Sequence, residues 1–61
     1  MADPLLEYRV WRRDGDWHWQ VLEVTNDYLQ FIASGVANSG HAARVEALQG
    51  CLGYIDRQRE P

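Results

Sequence analysis

The 61-residue sequence has one cysteine, two prolines and no lysine; its six basic residues are all arginine. A single thiol, Cys51, cannot close a disulfide within the chain. It reads as a small apolar residue in a reducing compartment, or as half of a bridge between two copies. No apolar run approaches the roughly 20 residues of a membrane span. Met1 to Tyr8 lacks the basic start and long apolar segment of a secretion signal. A cytoplasmic protein with no membrane contact is therefore expected. Positive charge is also scarce: nine acidic residues against six arginines give a net charge of -3. Three arginines face four acids in residues 1–16, two acids stand alone in 17–36, and 37–61 is balanced at three each. No segment has the basic excess that contact with nucleic-acid phosphates normally requires.

What is present is a strong hairpin signal. Asp14-Gly15 lies between alternating apolar residues, and a type I′ turn needs positive φ at both central positions. This turn sets Arg12 opposite Trp17, Trp11 opposite His18, Val10 opposite Trp19 and Tyr8 opposite Val21. With side chains alternating between faces, Tyr8, Val10, Arg12, Trp17, Trp19 and Val21 share one face. A second turn at Asn26-Asp27, two residues that tolerate a left-handed backbone, pairs Val24 with Leu29, Leu22 with Phe31, Val21 with Ile32 and Trp19 with Ser34. Ile32 then joins the tryptophan face, while Leu22, Val24, Leu29 and Phe31 gather on the other beside Trp11 and His18.

The expected strands are Leu5 or Leu6 to Arg13, Asp16 to Thr25, and Tyr28 to about Ser34, with Gly35 to Gly40 as the loop leaving the sheet. Ser39 is the expected N-cap of a helix. From it Val45, Leu48, Leu52 and Ile55 recur at spacings of three and four, with His41 one turn earlier and Cys51 at the margin, as an amphipathic stripe. Two ends are open to the helix: at Gln49 with Gly50 as a left-handed cap, or at about Arg57, and the second is preferred because the stripe keeps phase across Gly50 and Gly53. The whole is one α+β domain, residues 1–61: a three-stranded antiparallel sheet followed by one helix packed on one face. Its ordered core spans about 5–57, with frayed ends at Met1 to Pro4 and Asp56 to Pro61.

One helix covers one face of such a sheet, and here the other face is apolar too. Contiguous exposed apolar surface usually marks a contact site. The expected function is a small non-enzymatic interaction module, a homodimer or a partner of another protein, binding through Trp11, Leu22, Val24, Leu29 and Phe31. The structural alternatives are that the amino-terminal tail covers this face through Leu5, or that the second register is off by one.

The succession Asp14-Gly15-Asp16-Trp17-His18-Trp19-Gln20-Val21, then Phe31-Ile32-Ala33-Ser34-Gly35, then Ser39 to Leu48, resembles the short YegP-like domains of unknown function over about residues 8–50. The chain departs from them in having Thr25-Asn26-Asp27 before strand three, where that family favours Asn-Gly, and in lacking their lysines. The resemblance implies a strand-strand-strand-helix fold and association through sheets, and no catalytic residue. Trp17, Val21 and the helix alanines Ala42, Ala43 and Ala47 are also similar to the three-strand-plus-helix DNA-binding domains of ethylene-response factors and of integrase arm-binding type. That likeness implies a nucleic-acid-binding alternative using Arg9, Arg12, Arg13 and Trp17, against which the overall acidity weighs. A small inhibitor or adaptor docking on a larger protein is the third reading.

Residues for chemistry are few. His18 and His41 fall on different elements without Cys or His at ligand spacing, so no metal or other cofactor is expected. Arg12 opposite Trp17 suits a cation-π contact. The glycines form no phosphate-binding fingerprint, and Ser34 and Ser39 have no histidine-acid arrangement around them. A chain this short can hardly enclose a water-excluding site.

Overall fold

The computed structural model describes residues 5–59. Met1 to Pro4, Glu60 and Pro61, and the fraying expected of them, lie outside the described residues. The elements are β1 (Leu5–Arg13), β2 (Asp16–Val24), β3 (Leu29–Ala37) and α1 (Gly40–Arg59), with the sheet antiparallel in the order β1-β2-β3. This is the expected α+β architecture.

The first hairpin forms as its turn residues dictate. Asp14 and Gly15 adopt φ of 52° and 86°, and every expected β1–β2 pair is made, from Tyr8 with Val21 to Arg12 with Trp17, within a ladder that runs from Leu5 with Val24 to Arg13 with Asp16. The second turn closes differently. Asp14 is the one non-glycine residue with positive φ among the described residues, so Asn26 and Asp27 do not use the left-handed backbone expected of them. Thr25 makes the turn instead: its hydroxyl donates to the Tyr28 carbonyl at 3.0 Å and accepts from the amides of Asp27 at 3.3 Å and Tyr28 at 3.0 Å. A side chain thereby does the work of a backbone turn.

The second register begins as expected, with Val24 on Leu29 and Leu22 on Phe31, and then slips. Val21 pairs with Ala33 rather than Ile32, and Trp19 with Gly35 rather than Ser34. Ile32 is the unpaired residue of a β-bulge, which inserts one residue into an edge strand and increases its twist. One consequence is that β3 runs on to Ala37, so the loop expected over Gly35 to Gly40 shrinks to Asn38 and Ser39.

The helix lies on the tryptophan face. Trp19 Nε1 donates to Glu46 at 3.2 Å and the Tyr54 hydroxyl donates to Glu23 at 3.0 Å. Residues 19, 21 and 23 share one side of β2 by alternation, so these contacts fix which side α1 covers. Ser39 caps the helix as expected, its hydroxyl accepting from the Ala42 amide at 3.1 Å while its carbonyl takes the first helical bond from Ala43 at 2.9 Å. The helix continues through both glycines and past the expected end at Arg57, and Arg57 and Arg59 stand in its last turn, where cations suit the helix dipole.

The side of α1 that packs is not the one its large apolar residues suggest. Ala43 and Ala47 are wholly buried, and a Cβ on Gly50 would lie 3.5 Å from Val21. Val45, Leu48 and Leu52, expected against the sheet, are exposed. Indole rings explain the inversion. Trp17 and Trp19 already fill the layer between helix and sheet, leaving room for small residues only. On β3 the same layer meets Ala33, Gly35 and Ala37, and Ala37 is buried against it.

Candidate functional site

The face turned away from α1 is built in rows set by the register. Leu5, Val24 and Leu29 form one end, followed by Glu7, Leu22 and Phe31. Arg9, Gln20 and Ser34 make a polar waist. Trp11, His18 and Val36 lie beyond it, and Arg13 with Asp16 closes the far end. Leu5 is itself exposed on this face, so it does not cover it, and the slip beyond the bulge leaves Leu29 and Phe31 where they were expected.

Exposure separates the five residues anticipated as contacts. Trp11 keeps 40% of its surface in water, and Leu29 and Phe31 55% each. Val24 is half-buried, and Leu22 retains only 7%. Leu22 therefore supports the face from within the sheet and offers little area of its own. Val36, 57% exposed, belongs to the surface and was missed because Gly35 reads as the start of a loop. The signal was available: glycine within a strand often marks close approach by a neighbour, here the Trp19 ring.

Trp11 and His18 stack across the strands with ring centroids 5.7 Å apart and planes inclined by 13°, which fixes the indole as a flat platform. This is the ring contact found among the described residues; Arg12 and Trp17 are paired across the strands on the opposite face without the anticipated cation-π contact. The arginines of the nucleic-acid alternative are thus divided. Arg12 and Trp17 lie on the helix side, and Arg9 and Arg13 on the open side. Arg9 Nε donates to Glu7 at 3.3 Å. With Asp16 beside Arg13, the open face carries two cations and two anions and has no net attraction for phosphate.

A depression of about 240 Å³ lies beside the platform, lined by Trp11, His18, Gln20, Ser34 and Val36 among others. Ligand pockets are usually about 300–1,000 Å³ and enclose most of the ligand, so this open hollow suits an inserted side chain better than a substrate. Elsewhere, Cys51 is half-buried on α1, and burial pushes its thiol up from the ordinary value, which leaves less of the nucleophilic thiolate at neutral pH. Among the described residues, no three of His, Cys, Asp and Glu come together in a metal-binding group, and no helix is long and apolar enough to cross a membrane.

No family model matches the chain, and neither a curated protein nor a solved structure matches it. The functional reading therefore rests on the surface itself.

Proposed function

We propose that this chain is a non-enzymatic, self-associating interaction module whose contact surface is the open sheet face. The observation that carries the reading is the exposure of Trp11, Leu29, Phe31 and Val36 on the one face α1 leaves bare. Fully burying a large apolar side chain is worth about 1.5–3 kcal/mol, so even half of that from each of four residues exceeds what scattered surface apolar residues supply. Sheets stack face to face about 10 Å apart with strands nearly aligned. A two-fold axis along β2 sets β1 of one copy over β3 of the other. It brings Leu5 onto Leu29, Glu7 onto Phe31, Arg9 onto Ser34 and Trp11 onto Val36, so that the same surface stands on both sides of the contact.

Sedimentation velocity of the wild type and of Phe31→Glu over a concentration series tests this. The variant is expected to show a lower average mass at high micromolar concentration. Equal masses at every concentration overturn the reading.

A further inference from the structure

The two edges of the sheet differ. Ile32 bulges out of the β2–β3 ladder, and a bulge on an edge strand interrupts the row of backbone groups that a further strand would pair with. β1 has no such interruption: its ladder with β2 is continuous from Leu5 to Arg13 and contains neither glycine nor proline. Among the described residues no strand lies beyond it. Arg13 and Asp16 close a two-residue hairpin and so exchange both hydrogen bonds, which makes the odd-numbered residues of β1 the ones bonded to β2. Leu6, Tyr8 and Val10 therefore turn their N–H and C=O groups outward.

We propose that this edge pairs with the same edge of a second copy, antiparallel about a two-fold axis at Tyr8, joining two sheets into one. The order of residues in β1 selects both the occupant and the register. With Tyr8 opposite Tyr8, Leu6 stands opposite Val10 and the two exchange their outward groups. On the open face Glu7 then meets Arg9 and Leu5 meets Trp11, each pair formed twice by the symmetry. These are non-hydrogen-bonded positions, where opposed side chains come closest. Within one strand Glu7 and Arg9 already bridge at 3.3 Å, yet the side chains keep 50% and 53% of their surface in water, so both have a free side to offer. Around the axis the four charges alternate in sign. Leu5, 66% exposed, and Trp11, 40% exposed, cover one another. A shift of two residues either way sets Arg9 on Arg9 or Glu7 on Glu7, and like charges directly opposite oppose pairing. A shift of four, onto Val10, avoids that clash but leaves Leu5 and Leu6 beyond the end of the ladder.

The test uses the full chain carrying Phe31→Glu, so that the sheet face contributes nothing. Its average mass in sedimentation is expected to rise with concentration toward that of a dimer. Adding Glu7→Arg or Arg9→Glu alone sets like charges in both pairs and is expected to weaken this association on the order of tenfold. Glu7→Arg also lowers the net negative charge, so general repulsion between acidic chains would predict the opposite change. Both substitutions together exchange the partners of each pair and should restore the association. Amide exchange followed by NMR reads the register: the Leu6, Tyr8 and Val10 amides should exchange more slowly as concentration rises. A Phe31→Glu chain that stays monomeric, a doubly exchanged chain as weak as the single ones, or edge amides indifferent to concentration overturns the edge pairing and leaves the sheet-face reading untouched.

Discussion

The Trp19 indole lies so close over Gly35 that a Cβ at that position would stand 2.6 Å from the ring. The glycine serves a packing purpose within β3, and the ring it admits carries the hydrogen bond to Glu46 on α1. One strand residue without a side chain thus holds together the sheet, the indole layer and the helix.

Gly35→Ala is therefore expected to destabilise the fold by about 1–3 kcal/mol, the usual cost of an added methyl group that a packed core cannot accept. Chemical denaturation checks the magnitude. A double-mutant cycle with Trp19→Val checks the cause, since the alanine should cost less once the ring has been removed. An equal cost in both backgrounds would show that the indole is not what the methyl meets.

Tyr54 predicts an alkaline limb of stability. Its hydrogen bond to Glu23 is the largest influence raising the phenol above its ordinary value, with desolvation and the negative charges of Glu23 and Tyr28 adding and Arg57 opposing. A pKa higher in the folded state means that folding holds the proton more tightly. The stabilisation is complete below the unfolded value of about 10 and is lost as pH rises through the higher folded value. Melting curves from neutral to strongly alkaline pH are expected to fall less steeply for Tyr54→Phe than for the wild type. Superimposable pH profiles would remove the assignment.

Gly53→Ala is expected to stabilise the protein by about 0.5–1 kcal/mol, because glycine costs that much in a helix interior and a Cβ at position 53 meets nothing within 4 Å. Urea midpoints at unchanged slope would record it. A lower midpoint would mean that the position serves an unrecognised contact.

The elements were legible where local chemistry decides them. Asp14-Gly15 specified the first turn and all of the β1–β2 register, and Ser39 marked the start of α1. The second register was legible only as far as Leu22. The extra residue at Ile32 sits in an edge strand, and no local pattern marks where such a bulge falls. The packed side of α1 was hidden for a different reason. Periodicity correctly located an apolar stripe of Val45, Leu48 and Leu52, but a stripe does not say what it faces. Two indoles beneath the helix excluded it from the sheet and admitted Ala43, Ala47 and Gly50. Of the candidate site, Trp11, Leu29 and Phe31 were readable from alternation alone. Val36 was not, since it follows the slip, and Leu22 was misjudged because alternation assigns a face without saying how much neighbours on that face shield.

Because α1 lies on one broad side of the sheet, a pair joined through the opposite side would carry its two helices on the outside. A half-turn applied twice restores the starting molecule, so such a pairing closes at two copies and does not lengthen further.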